Sequence, residues 1–239
     1  MLGCAMVMEK YTLCSCLTET TLKNCLDIIK KIETDLIEHR IDYLENKNID
    51  YTNLKELYSL AHKKNQKIIA TCRNESCKGK FAGSEVERIS VLIDAIKNGA
   101  DFVDIEVETQ EELKRKVIDF AKQNNCKVIV SMHDFVSTPN NSILQKTLEQ
   151  EITDGADIGK IVTFANNKTS CTRVLDLIMK ASEKEFPLVA FCMGEKGKSS
   201  RLTCLALGSP FTFVSFNNAS APGQFTKEEV EELLKEKPI

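Results

Sequence analysis

No stretch of the 239-residue chain approaches the roughly 18 consecutive apolar residues of a membrane-spanning helix. The opening MLGCAMVMEK has an apolar patch, but no basic segment precedes it and the run is too short for a secretory signal, so a cytoplasmic location is expected. Basic residues are not in excess: 32 Lys and Arg stand against 35 Asp and Glu, a formal net charge of −3. That balance argues against an electrostatic grip on nucleic acid or on an anionic membrane. Histidines number only three, and Cys14-x-Cys16 and Cys72-x4-Cys77 lack a matching second pair, which argues against a zinc site. The Gly-rich phosphate turns GxGxxG and GxxxxGKS/T are missing. No Pro/Gly/Ser-rich linker, composition shift or low-complexity tract marks a boundary, so residues 1–239 are expected to form one domain.

What is present describes an ordinary globular chain, 42% hydrophobic and 28% charged, long enough to bury a full core. Ten cysteines are many, yet several lie inside apolar runs (Cys14 in YTLCSCL, Cys72 in KIIATC, Cys192 in LVAFCM), where a free thiol acts as a small hydrophobe.

Eight apolar segments recur, at 11–17, 35–42, 66–72, 101–107, 126–132, 157–164, 186–193 and 211–216, their starts 24 to 35 residues apart. Between them lie stretches of helical period, among them ERISVLIDAIKNGA and EELKRKVIDFAKQNN, with Thr109 as expected cap of the second and Gly99 and Asn124–Asn125 as stops. Eight strand–helix alternations predict an α/β protein of (β/α)8 barrel type, closed by the last strand on the first. A doubly wound open sheet is the alternative. In a barrel the chemistry belongs at the C-terminal strand ends.

Lys160 lies mid-strand in DIGKIVTF, on one face with Ile158 and Val162. Facing inward, it would be desolvated with a lowered pKa, and a neutral amine condenses with ketones. Facing outward, it would snorkel between helices. His133 closes the preceding strand, so the two would share a rim, with the imidazole placed for proton transfer near neutral pH. His39 and His62 are weaker candidates, His62 being expected at the surface. Glu38, Arg40 and Asp42 alternate along the second strand, and Asp104 and Glu106 along the fourth. Too polar for an apolar core, they predict a charged network around Lys160, with Arg40 between its two carboxylates. Arg73 and Arg201 are candidate forks for a carboxylate or hydroxyl. The small-residue loop NNASAPGQF, with Ser220 and Gln224, reads as a lid.

Taken in order, EHRID, TCR, SMHDF, ADIGKI, SSRL and SAPGQ, one per strand end, resemble the type I 3-dehydroquinate dehydratases of the shikimate pathway. The resemblance runs from Ser15 to Gln224. It implies that Lys160 forms an imine with the C3 ketone of 3-dehydroquinate and that His133 is the general acid/base of a syn-dehydration to 3-dehydroshikimate. It further implies that Arg201 clamps the carboxylate while Ser220 and Gln224 close over it, that Glu38, Arg40 and Arg73 bind hydroxyls or order the network, and that Ser15 sits on the barrel floor. Asp42, Asp104 and Glu106 would support them. No cofactor or metal is implied, and a homodimer is a further expectation.

One run departs from the family pattern. Cys77 and Lys78 stand where the family carries a glutamate and a glycine, unless Glu75 takes over by a shift of the loop. The neighbouring Lys78 is expected to lower the Cys77 pKa and make the thiol reactive. A Schiff-base aldolase of the same barrel class and a ligand-binding barrel without turnover are the competing readings. Activity on other ketones, or binding of 3-dehydroquinate without an enone product, would select them.

Overall fold

A computed structural model describes residues 12–45, 54–216 and 223–236. Eight strands form: β1 (Leu13–Leu17), β2 (Leu36–Arg40), β3 (Lys67–Thr71), β4 (Phe102–Glu106), β5 (Lys127–Asp134), β6 (Ile158–Phe164), β7 (Leu188–Met193) and β8 (Thr212–Ser215). Seven helices alternate with them: α1 (Leu22–Ile29), α2 (Leu54–Lys63), α3 (Glu85–Lys97), α4 (Glu111–Gln123), α5 (Asn141–Asp154), α6 (Lys168–Ser182) and α7 (Ser200–Ala206). A two-residue strand β9 (Phe225–Thr226), which the periodicity did not announce, and α8 (Lys227–Glu236) follow. Every pairing is parallel, and the order is β7-β6-β5-β4-β3-β2-β1-β8-β9. This is the expected (β/α)8 barrel, each predicted apolar segment overlapping one strand.

The last strand does meet the first, Cys14 opposite Phe213. The weak seam is between β7 and β8, where no ladder is found among the described residues. Side chains bridge it instead. The Phe191 and Phe213 rings meet edge-on at 6.2 Å, and the Ser209 hydroxyl donates to the Leu188 carbonyl at 2.8 Å. At the upper rim β9 lies against β8, Val214 opposite Phe225. Its approach requires Gly223, which adopts φ +74° and lies so close to the Gly194 carbonyl at the end of β7 that a Cβ would collide.

Strand alternation sorts the side chains. Ile37, Ile68, Ala70, Val103, Ile105, Val128 and Val130 pack outward with the helices, whereas Cys14, Leu36, Ile69, Ile129, Val189, Phe191 and Phe213 fill the interior. The interior set continues upward into Glu38, Thr71, Asp104, Ser131 and Lys160, all buried. The nine described cysteines are free thiols, seven of them buried.

Local signals behave as expected, with one correction. Ser84 and Glu87 form a reciprocal capping box at α3, and Asn98–Gly99 and Asn124–Asn125 end α3 and α4. Thr109 is not the α4 cap. Gln110 holds that position, without a side-chain bond, and the Thr109 hydroxyl accepts from Arg88 instead, at 3.0 Å.

Candidate active site

An open cavity of about 250 Å³ lies at the C-terminal ends of the strands. Its walls include Cys16, Glu38, Arg40, Tyr43, Arg73, Cys77, Lys78, His133, Lys160, Phe191, Met193, Arg201, Phe213 and Gln224. Lys160 is centred on the floor. Its Nζ donates to Asp104 at 2.9 Å and to Glu38 at 3.2 Å, and it stands 4.5 Å from the Phe213 ring centroid.

The expected fall of the Lys160 pKa does not occur. Burial does pull the ammonium down, but Asp104 and Glu38 together outweigh it and the net shift is upward. The same pairing works on the carboxylates. Burial would raise Asp104, yet Arg73 and Lys160 hold it well below the usual range, and Lys160 and Arg40 likewise hold Glu38 down.

Arg73 is the hub of the network. It bonds Asp104 at 3.0 Å and Glu106 at 2.8 Å, and the same guanidinium nitrogen that meets Glu106 lies 3.4 Å from His133 Nδ1. His133 also stacks on Phe135, centroids 5.8 Å apart. Burial, with the positive charges of Arg73 and Lys160, pushes its pKa well below that of a free histidine. The imidazole is therefore held neutral at physiological pH. Arg40 grips Asp42 with two bonds, at 2.7 and 2.9 Å, rather than standing between two carboxylates; Glu38 turns instead to Lys160 and the Thr71 hydroxyl. Asp42 reaches on to accept the Lys80 backbone N–H at 3.0 Å. Arg201, on α7, is buried over the Phe191 ring, and burial lowers its pKa to about 10, which leaves it charged at neutral pH.

Other placements need correction. Ser15 is not on the floor: it opposes Ile37 on the outward side, and its hydroxyl accepts from Thr34 at 2.9 Å. Its neighbour Cys16 faces the cavity, its thiol 3.5 Å from Glu38. Glu75 lies exposed in a single 3-10 turn and does not replace the missing carboxylate. Among the described residues no carboxylate hydrogen-bonds His133. Cys77 lines the cavity, but its pKa is raised, not lowered, first by burial and then by the negative charge of Glu106. Ser220 lies outside the described residues, whereas Gln224 is in the wall beside Cys16. His39 is buried against Tyr58, and His62 is partly exposed and bonds Asp101, both away from the site.

Sequence reading missed Arg88, a fully buried arginine on α3 that bonds Glu106 at 2.6 Å, Glu85 at 2.6 Å and the Cys72 carbonyl at 3.0 Å. It stands on the helix face expected to be apolar, and the nearby Glu106 was its only cue.

The sequence matches the family model for Type I 3-dehydroquinase over residues 13–237. The chain belongs to the type I 3-dehydroquinase family. A 3-dehydroquinate dehydratase of Desulfotalea psychrophila is 33% identical over 234 residues, covering 97% of this chain and all of the relative. One from Methanococcus maripaludis is 37% identical over 202 residues, covering 84% and 87%. Among solved structures, the type I 3-dehydroquinate dehydratase of Clostridium difficile with covalently modified comenic acid superposes with a TM-score of 0.86 at 25% identity, over 94% of this chain and 91% of that one. The Aquifex aeolicus 3-dehydroquinate dehydratase gives 0.78 at 29% identity, over 95% and 99%. A 3-hexulose-6-phosphate synthase, at 15% identity and a TM-score of 0.60, shares the barrel only. Within this type I 3-dehydroquinase, the cavity groups a buried amine, a neutral imidazole and a buried guanidinium at one rim.

Proposed function

We propose that this chain dehydrates 3-dehydroquinate to 3-dehydroshikimate through an imine on Lys160. The observation that carries the reading is the placement of buried Lys160 in the cavity wall, its Nζ in reach of two carboxylates and on the strand next to His133. Arg201 receives the substrate carboxylate, and Gln224, Arg40 and Arg73 contact hydroxyls or brace the groups that do. Lys160 gives up a proton and attacks the C3 carbonyl. Loss of water from the addition product leaves a protonated imine. That cation draws electrons from the C2–H bond, and neutral His133 takes the proton, forming an enamine. The enamine expels the C1 hydroxyl, which accepts the proton from His133 and departs as water. A second water hydrolyses the imine and restores Lys160.

Arg73 and Lys160 support this cycle by keeping His133 unprotonated, as a base must be. Asp104 and Glu38 support it by offsetting the cationic charge that Lys160 carries both as ammonium and as imine. The test is reduction with borohydride in the presence of 3-dehydroquinate. A covalent mass increase is expected in the wild type and absent in Lys160→Ala. No increase, or one that survives the substitution, rejects the reading.

A further inference from the structure

The chain leaves the 3-10 turn Glu75–Cys77 through Lys78, at φ 57° and ψ 25°. This is left-handed backbone, which a Cβ-bearing lysine adopts at a cost glycine does not incur. The loop holds it there by several independent bonds. Asn74 accepts the Cys77 N–H with its side chain and the Gly79 N–H with its carbonyl. The Phe81 N–H donates to the Arg73 carbonyl, and Asp42 takes the Lys80 N–H. Gly79 packs so tightly on the Arg73 carbonyl that a Cβ would collide. The stem of Lys78 is thus fixed to the same Arg73 and Asp42 that shape the cavity. Lys78 is one of the residues that line the open cavity.

The cations around the cavity are not equally committed. Lys160 is paired with Asp104 and Glu38, Arg40 with Asp42, and Arg73 with Asp104 and Glu106. The Lys78 ammonium has no ion pair or hydrogen bond among the described residues, and the residue is exposed. A charge presented from left-handed, firmly pinned backbone in the cavity wall, with no ion pair or hydrogen bond to it among the described residues, is placed to meet a ligand.

We infer that Lys78 is a specificity-determining contact that draws in and then holds the carboxylate-bearing substrate. The inference rests on the activity proposed above and extends it. The ammonium adds an attraction before docking and a contact after it. Neither depends on the reacting carbons, so the gain falls on capture and KM rather than on the chemical step.

Steady-state kinetics on 3-dehydroquinate with wild type, Lys78→Gly, Lys78→Gln, Lys78→Arg and Lys80→Gln test it. Lys78→Gly relaxes the left-handed backbone, so its thermal midpoint should equal or exceed that of the wild type; Lys78→Gln keeps the bulk and removes the charge. At low ionic strength both should lose about five- to tenfold in kcat/KM, through KM, and the deficit should shrink to about twofold or less near half-molar salt. Lys78→Arg should retain most of the wild-type value. Lys80→Gln, an equal charge change in the same loop but outside the cavity wall, should follow the wild type. Wild-type kinetics and salt dependence in Lys78→Gly, or a loss confined to kcat, would overturn the inference while leaving the proposed activity standing. A wild type without turnover would sink both.

Discussion

At the scale of single residues, the decisive quantity is how charge on Lys160 is balanced. An isolated buried lysine would titrate low, but here two carboxylates hold it as ammonium. The amine must lose that proton before attack, so kcat/KM should climb with pH as Lys160 deprotonates. Glu38→Gln removes one of the two negative charges without changing shape. Burial and Arg73 then meet less opposition, and the Lys160 pKa falls. The pH–kcat/KM profile of Glu38→Gln should therefore show its alkaline rise at lower pH than the wild type; an unmoved or upward-moved midpoint would contradict the assignment. Cys77 follows the same logic with opposite chemistry. Burial and Glu106 disfavour its thiolate, so at pH 7.5 iodoacetamide should label Cys77 more slowly than a free small-molecule thiol, the rate still rising beyond pH 9. Sequence adjacency to Lys78 suggested the reverse. Proximity along the chain did not decide it, because burial raises the thiol first and the fold adds the negative charge of Glu106 from β4.

At the scale of elements, two helices brace the site from outside through buried ionisable groups. Arg88 of α3 holds Glu106, which in turn holds Arg73. Arg88→Ala would leave buried Glu106 with Arg73 alone, a guanidinium already shared with Asp104, and would take the arginine from the Cys72 carbonyl. A loss of about 3–5 kcal/mol in unfolding free energy is expected from denaturant titration. Glu151 of α5 is fully buried, its carboxyl lying against Gly159 of β6, where a Cβ would collide with it. Burial drives its pKa far upward, with the negative charges of Asp104, Glu108 and Asp154 adding to the shift, so the folded protein keeps it protonated where the unfolded chain has released the proton. A raised carboxyl pKa means that stability is lost as pH rises from the ordinary carboxylate range towards the folded value. Glu151→Gln cannot titrate. Its melting temperature should gain on the wild type steadily between pH 5 and pH 8, each kcal/mol appearing as about 2–4 °C. A constant gap would contradict protonation in the native state. Neither brace was legible in the sequence, since apolar periodicity marks which face of a helix is buried but not the charged side chain that shares it.

At the scale of the whole molecule, period-two alternation and the spacing of apolar runs announced the barrel. These patterns are local, and the interior of a parallel barrel leaves few other ways to cover both faces of such strands. The polar residues on those strands were equally readable as an inward network, because five ionisable groups at alternate positions have no place in an apolar core. The partners within that network were not readable. Arg40 chose Asp42, Arg73 took Asp104 and Glu106, and Ser15 turned outward instead of to the floor, since the packing of the assembled cylinder decides these. The break between β7 and β8 had no sequence signature either.

That break gives the barrel one row without rungs, splinted at its upper end by a short segment whose first neighbour, Gln224, also faces the cavity. A molecule gripped by Gln224 on one side and Lys160 on the other would act as a clasp across the gap. Backbone amides of β7 and β8 that face each other should exchange with deuterium sooner than those facing β6 and β1, and 3-dehydroquinate fixed to Lys160 by borohydride reduction should slow the former selectively. Uniform protection around the ring, with or without ligand, would mean that the cylinder needs no clasp.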